Sequence, residues 1–114
     1  MKRIVLIGSG NLAEALARAV SKSELEAVQL YARNPERGPI VARLSGCPWT
    51  SDPAELSRDA DLYIIAVSDR AVAEVASTLP IPATAAVAHT AGSVPLEAIP
   101  ERFARRAVFY PMQT

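Results

Sequence analysis

The sequence has little of what marks several large classes of protein. It contains one cysteine, Cys47, so no disulfide can form within the chain and an oxidising compartment has no support. Its 12 Lys and Arg residues balance its 12 Asp and Glu residues. Because this balance leaves no net charge to attract polyanions, we expect neither a nucleic acid nor a membrane surface as a partner.

The apolar run near the N-terminus is also short. Ile4–Ile7 ends at Gly8, which is too early for the core of a signal peptide or for a membrane span. The sequence therefore predicts a soluble, cytoplasmic protein. Its length of 114 residues and hydrophobic content of 50% fit a single domain over residues 1–114.

What the sequence does contain is an alternation of apolar runs and amphipathic stretches. Runs of consecutive apolar residues are typical of parallel strands that are covered on both faces. We predict strands at Ile4–Ile7, Ala27–Tyr31, Cys47–Thr50, Leu62–Val67, Ala85–His89 and Ala107–Tyr110. Strands that alternate with helices predict an α/β fold with a doubly wound parallel sheet and right-handed crossovers.

Two helices are predicted in the first half of the chain. Apolar residues at helical spacing place the first helix in Leu12–Val20. The second helix is expected to start at Asn34–Pro35, to break at Gly38–Pro39 and to restart near Ile40, because glycine and proline interrupt helices.

Two further helices are predicted from their N-terminal signals. Asp52 is followed by a proline and then, three residues after the cap, by Glu55, a pattern that predicts a short helix. Ser68 can begin another helix, whose body we expect over Ala71–Leu79.

A glycine motif lies at the end of the first predicted strand. Residues 8–13 read GSGNLA and fit the pattern G-x-G-x-x-G/A at a strand-to-helix turn. The first glycine allows the tight turn, the second lets a pyrophosphate approach the backbone, and the alanine lets the helix pack closely on the strand. Free N–H groups at the positive end of the helix dipole would then face the pyrophosphate.

The motif predicts a dinucleotide site, and the alternative is a turn with a purely structural role. The residues expected to bind the cofactor here are Gly8, Ser9, Gly10, Asn11, Leu12 and Ala13.

The end of the second predicted strand bears on which dinucleotide binds. An NAD site usually offers a carboxylate to the ribose hydroxyls about twenty residues after the glycines. Here the chain has Arg33 and Asn34 instead. The planar guanidinium of Arg33 can bind a 2′-phosphate in a bidentate way and stack on adenine, and Asn34 can add a hydrogen bond. NADP is therefore the expected cofactor.

Alternatives stay open at this strand end. Arg37 can reach the same phosphate from the next turn, or both Arg33 and Arg37 can simply keep a loop soluble. Glu36 lies past the usual ribose position, so NAD stays an alternative to NADP.

The segments "GSGNLAEALARAV" and "YARNPE" resemble the N-terminal half of pyrroline-carboxylate reductase and its relatives, including the deazaflavin-dependent NADP reductases. The segments "DLYIIAVSD", "HTAGSVPLEAI" and "VFYPMQT" are still more similar to a related group of Rossmann-like proteins of unassigned substrate. The resemblance covers nearly the whole chain. It implies that Val67 and Ser68 lie beside the ribose and nicotinamide, and that the loop from His89 to Ser93 flanks the nicotinamide and substrate.

In the resembling proteins an all-helical C-terminal domain follows the nucleotide domain. It completes the substrate pocket and usually the dimer, and this sequence stops at Thr114, before that domain. The resemblance therefore implies a homodimer formed through the C-terminal domain, and residues 1–114 alone are expected to be incomplete for catalysis.

The carboxyl ends of the later strands also point to a site, because ligands bind at that edge of parallel sheets. His89 is the single histidine, and an imidazole can donate the proton that reduction of a C=N or C=O bond needs beside the hydride. Thr90 and Ser93 are candidate hydroxyl donors, and Gly92 allows close approach to a ligand. The alternatives are a histidine bonded to backbone, a plain turn at Gly92 and a helix cap at Ser68.

We therefore expect the NADP(H)-binding domain of an oxidoreductase that transfers hydride between nicotinamide and a small imine or carbonyl substrate, with no metal. The alternative is a non-catalytic NADP(H)-sensing or scaffold module whose occupancy changes its association with a partner. A methyltransferase that uses S-adenosylmethionine is disfavoured, because no carboxylate is evident at the end of the second strand to hold ribose hydroxyls.

Overall fold

The computed structural model describes residues 3–67, 75, 77, 80, 81, 85–89 and 105–108. The α-helices whose bounds are described are α1 (Asn11–Ser21) and α2 (Arg37–Ser45), and a 3₁₀ turn covers Pro53–Glu55. The strands are β1 (Arg3–Ile7), β2 (Glu26–Tyr31), β3 (Trp49–Thr50), β4 (Leu62–Ile65), β5 (Ala86–His89) and β6 (Arg105–Val108).

The strands form one parallel sheet in the order β3-β2-β1-β4-β5-β6. From β1 the chain moves outward to β2 and β3, and then crosses back to place β4 on the other side of β1. This is the strand order of the Rossmann fold, so the prediction of a doubly wound parallel sheet is confirmed. In such sheets ligands bind outside the carboxyl ends of the strands where the order reverses, which here is between β1 and β4.

Apolar clusters cover both faces of the sheet. In β1, Ile4 and Leu6 pack in the cluster that includes α1 and α2, whereas Val5 and Ile7 pack in the opposite cluster with Leu56. Side chains alternate across a strand, so a strand that is covered on both faces is apolar at consecutive positions. The packing therefore explains the apolar runs in the sequence.

The second helix corrects one prediction. The break at Gly38–Pro39 was wrong, because α2 runs through both residues and starts at Arg37. Both lie in the first turn, where N–H groups have no acceptor within the helix, so a proline there removes no helical hydrogen bond. Asn34 does help to start the helix, since its Oδ1 accepts from the N–H groups of Glu36 at 2.8 Å and Arg37 at 3.0 Å.

Gly38 also has a packing role that the sequence does not reveal. A Cβ built on Gly38 would overlap the indole of Trp49. Trp49 in turn donates from Nε1 to the carbonyl oxygen of Ala32 at 3.0 Å. The indole therefore fills the space between the start of α2 and the end of β2, and Gly38 leaves room for it.

Several strand boundaries also differ from prediction. β3 begins at Trp49 instead of Cys47, and β4 ends at Ile65 instead of Val67. β6 already includes Arg105, before the predicted start at Ala107, and the predicted strand residues 109 and 110 lie outside the described residues. Apolar character extends beyond the strands here, so it does not mark where each strand ends.

The predicted cap at Asp52 is present, since its carboxylate accepts from the N–H of Ala54 at 2.9 Å, but only a single 3₁₀ turn follows. Of the helix expected over Ala71–Leu79, Val75 and Ser77 are helical and the rest lies outside the described residues.

Replacing Gly38 with alanine tests the contact with Trp49. Alanine usually stabilises a helix relative to glycine by up to about 1 kcal/mol. Here we expect Gly38→Ala to lower the free energy of unfolding by about 1–3 kcal/mol, because its Cβ meets the indole. Urea denaturation measures the change.

Trp49→Ala provides the matched control, because it removes the group that the new Cβ would meet. The double variant Gly38→Ala, Trp49→Ala should lose less stability than the sum of the two single variants. A Gly38→Ala variant at least as stable as the unsubstituted chain would contradict the proposed packing.

Candidate functional site

A cleft of about 580 Å³ lies at the carboxyl edge of the sheet, where β1, β2 and β4 end. Three chain segments, one following each of these strands, form most of its wall. The lining residues are Ile7, Gly8, Ser9, Gly10, Asn11, Leu12, Tyr31, Ala32, Arg33, Asn34, Ala66, Val67 and Val75. The cleft therefore brings together the glycine motif, the end of β2 and Val67, which the sequence analysis had selected separately.

Gly8 forms the turn out of β1 against the end of β4. Its φ of 129° lies in a region that residues with a side chain rarely adopt. An added Cβ would also overlap the carbonyl oxygen of Ala66. Its N–H donates to the carbonyl oxygen of Tyr31 at 2.8 Å. Gly8 thus holds the ends of three neighbouring strands close together.

Gly10 has a different environment. It is the N-cap of α1, with an ordinary φ of −79°, and a Cβ added to it would meet no atom within 4 Å. The absence of a side chain at Gly10 therefore leaves open space in the wall of the cleft, and no neighbouring group of the described residues packs into that space.

The start of α1 has free backbone donors. The N–H of Glu14 donates to the carbonyl oxygen of Gly10 at 2.9 Å, whereas the N–H groups of Asn11 and Leu12 precede the first helical bond. No described residue accepts from these two N–H groups. Together with the positive end of the helix dipole they can bind an anion.

Ala13 does not line the cleft. Its side chain is 1% exposed and packs in the apolar cluster between α1 and the sheet. It therefore serves the close packing that the motif requires.

Arg33 and Asn34 line the cleft just beyond β2. Arg33 is exposed and forms no ion pair with the other described residues. The Oδ1 of Asn34 already accepts the two N–H groups at the start of α2, so only its amide nitrogen is left to donate to a ligand. The guanidinium of Arg33 is thus a free cation beside the cleft.

Arg37 has partners other than those the sequence suggested. Its Nε donates to the carbonyl oxygen of Ser9 at 3.0 Å, and its terminal nitrogen lies 3.0 Å from the carboxylate of Glu14. The structure therefore ties Arg37 to the glycine turn and α1. Sequence reasoning missed this contact, because nothing in the local pattern links the start of α2 with the glycine turn.

The remaining lining residues were also missed, although a rule could have found some of them. Tyr31 is the last residue of β2 and Ala66 follows β4, so both lie at strand ends where ligands bind.

His89 is the last residue of β5, and its backbone is level with Ile65 of β4 and Val108 of β6. β5 therefore ends at the same edge of the sheet at which the cleft lies. Ser68, Thr90, Gly92 and Ser93, which were predicted to contact the cofactor or substrate, lie outside the described residues.

Cys47 lies away from the cleft and is half-buried. Burial raises the pKa of its thiol, and the hydrogen bond with Ser45 opposes this only in part. A higher pKa leaves less thiolate at neutral pH, which fits a packed side chain better than a nucleophile.

The described part of the chain holds no group of three or more His, Cys, Asp and Glu residues that could bind a metal ion. None of its helices has the length and apolar character needed to cross a membrane.

Comparison with known protein families shows to which family this chain belongs. Residues 3–90 match the family model described as NADP oxidoreductase, coenzyme F420-dependent. The chain belongs to this family. The resemblance to the NADP-binding domain of pyrroline-carboxylate reductase-like proteins is therefore confirmed.

Several solved structures share the fold of this chain. A proposed NADP oxidoreductase from Bacteroides fragilis is 38% identical, with a TM-score of 0.86 over 99% of this chain. Prephenate dehydrogenase from A. aeolicus, solved with hydroxyphenyl propionate and NAD+, is 19% identical with a TM-score of 0.78 over 98%. Biliverdin reductase from Synechocystis sp. PCC 6803, solved with biliverdin and NADP+, is 15% identical with a TM-score of 0.71 over 93%.

The chain spans less than half the length of each of these proteins. It covers 44% of the Bacteroides fragilis protein, 42% of prephenate dehydrogenase and 37% of biliverdin reductase. No curated protein matches the sequence of this family member.

Alanine substitutions at the two glycines between β1 and α1 should have different effects on the stability of the chain. Gly8→Ala should lower the free energy of unfolding by at least 1–2 kcal/mol, roughly the cost of an unfavourable φ, because it adds a collision with Ala66. Gly10→Ala should change the free energy of unfolding by less than about 1 kcal/mol, since its Cβ enters open space.

Denaturation of both variants in urea makes the comparison. Equal losses of stability would contradict the different roles that we assign to Gly8 and Gly10.

Proposed function

We propose that residues 1–114 form the NADP(H)-binding domain of an oxidoreductase that transfers hydride between nicotinamide and a small imine or carbonyl substrate. One observation carries the cofactor half of this proposal. Asn11, Leu12 and Arg33 line the same cleft, and within the described part of the chain the N–H groups of Asn11 and Leu12 have no acceptor and the guanidinium of Arg33 has no ion pair.

In this arrangement the pyrophosphate lies beside Gly10 and accepts from the N–H groups of Asn11 and Leu12. The 2′-phosphate lies beyond β2, against the guanidinium of Arg33 and the amide nitrogen of Asn34. An arginine at this place favours NADP over NAD, because it pairs with the additional phosphate that NAD lacks. The NADP oxidoreductase family to which the chain belongs supports the same choice.

The nicotinamide would lie further along the edge, beside Val67 and Ser68 at the end of β4. When bound, NADPH supplies the hydride. A proton must also reach the nitrogen or oxygen of the substrate, and we assign its donation to His89 at the end of β5. Thr90 and Ser93 would hold the substrate by hydrogen bonds, and Gly92 would allow its close approach.

A non-catalytic sensing or scaffold module is the second candidate. In that role the cofactor domain would act through a partner that it contacts when the dinucleotide is bound. Oxidation of NADPH by the longer native protein on addition of small cyclic imines, ketones or coenzyme F420, the compound in the family's description, would indicate the enzyme. A change in association with a partner on NADPH binding, without oxidation, would indicate the sensor.

Replacing Arg33 tests the assignment of the cofactor. We expect the chain to bind NADPH more tightly than NADH, and Arg33→Ala to weaken NADPH binding about 10- to 100-fold. This range corresponds to the roughly 1.5–3 kcal/mol of a hydrogen bond to a charged group. Binding of NADH should stay nearly unchanged. Titration followed by nicotinamide fluorescence measures both affinities.

Arg43→Ala is the matched control, because Arg43 is an exposed arginine of α2 that lines other surface pockets and not the cleft. It removes the same charge and should leave both affinities unchanged. Equal weakening of NADPH and NADH by Arg33→Ala would contradict the 2′-phosphate assignment. Binding of neither nucleotide at millimolar concentration would contradict the cofactor proposal itself.

A further inference from the structure

Arg37 joins three segments that surround the anion-binding end of α1. It is the first residue of α2, and its Nε donates to the carbonyl oxygen of Ser9 at 3.0 Å, between the two glycines of the turn. Its terminal nitrogen forms an ion pair with Glu14, in the first turn of α1, at 3.0 Å. The Arg37 and Glu14 side chains are 35% and 32% exposed, so solvent screens this pair only in part.

The hydrogen bond from Arg37 to the Ser9 carbonyl oxygen restrains a turn whose backbone is unusually free to change conformation. Ser9 lies between Gly8 and Gly10, and glycine loses more conformational freedom than any other residue when it is fixed. A charge-assisted hydrogen bond to the Ser9 carbonyl therefore limits the orientation of the peptide groups in the turn. The same turn leads into the free N–H groups of Asn11 and Leu12.

The ion pair with Glu14 acts on charge. Glu14 lies in the same first turn of α1 as the N–H groups of Asn11 and Leu12, where its carboxylate would repel a bound pyrophosphate. Arg37 offsets that negative charge at 3.0 Å, whereas Arg18 lies at 3.6 Å and is 59% exposed. Arg37 is thus the closer and less solvated partner of Glu14.

We propose that Arg37 is a positioning residue for the pyrophosphate half of the cofactor site. It holds the Ser9 carbonyl, and with it the glycine turn, in the binding conformation, and it neutralises Glu14 beside the phosphates. It does so without touching the 2′-phosphate. This inference rests on the proposed binding of a nicotinamide dinucleotide.

A positioning role for Arg37 predicts how its loss changes the affinities for NADPH and NADH. NADPH and NADH share the pyrophosphate and differ only in the 2′-phosphate. Loss of a residue that positions the pyrophosphate site weakens both nucleotides by the same factor. Loss of a residue that binds the 2′-phosphate weakens NADPH alone.

The experiment compares Arg37→Met with Arg18→Met by titrating each with NADPH and NADH. Methionine keeps an unbranched apolar side chain, so each variant removes mainly the charge and its hydrogen bonds. We expect Arg37→Met to weaken both nucleotides about 5- to 50-fold, by equal factors. Arg18→Met should change either affinity less than twofold, because its pair with Glu14 is more exposed. Arg37→Lys keeps the charge and should fall between Arg37→Met and the unsubstituted chain.

A second substitution separates the effect of charge from a general loss of structure. The double variant Arg37→Met, Glu14→Gln has no carboxylate to repel the pyrophosphate, so it should recover part of the lost affinity for both nucleotides. A role in folding alone predicts no such recovery. Thermal denaturation confirms that each variant is folded, and Arg37→Lys takes the place of Arg37→Met if the latter is not.

Hydrogen exchange in the nucleotide-free chain gives a readout that needs no cofactor. Arg37→Met should speed exchange at the amides of residues 9–12 several-fold, and Arg18→Met should not. A loss of affinity confined to NADPH, or unchanged affinity and exchange, would overturn the inference. If the unsubstituted chain binds neither nucleotide, the proposed function fails, and unchanged exchange at residues 9–12 would separately overturn the role of Arg37 in ordering the turn.

Discussion

The structure depends on the close approach of Gly8 to the end of β4. The main chain of Gly8 lies where any Cβ would overlap the Ala66 carbonyl oxygen, and its N–H donates to Tyr31 of β2 at 2.8 Å. This contact sets the distance between the carboxyl ends of the central strands. It also directs the chain away from the sheet, so that α1 begins with its free N–H groups facing the cleft.

Each side of that cleft has one kind of group that can bind an anion. The start of α1 presents backbone dipoles, which suit an anion close to the main chain. The end of β2 presents the exposed guanidinium of Arg33, which suits a more distant phosphate. Arg37, the first residue of α2, is already engaged with Ser9 and Glu14. Two arginines four residues apart in the sequence therefore have different surroundings.

Sequence pattern predicted the central strands β1 and β4 because they carry apolar residues at consecutive positions, a property that follows from burial on both faces of the sheet. It predicted the glycine turn because a backbone constraint selects residue type directly. It was wrong about Gly38 and Pro39, whose effect depends on where α2 begins and on the indole of Trp49. It could not find the partners of Arg37, because these lie in another part of the sequence and meet it only in the folded chain.

If the start of α1 and the end of β2 hold one dinucleotide between them, amide chemical shifts measured by NMR during a titration with NADP+ will show it most directly. We expect the largest changes at Gly8, Gly10, Leu12 and Arg33, while Gly46, at the far end of α2, changes little. Changes centred elsewhere, or changes at the glycine turn without any at Arg33, would contradict a shared dinucleotide site.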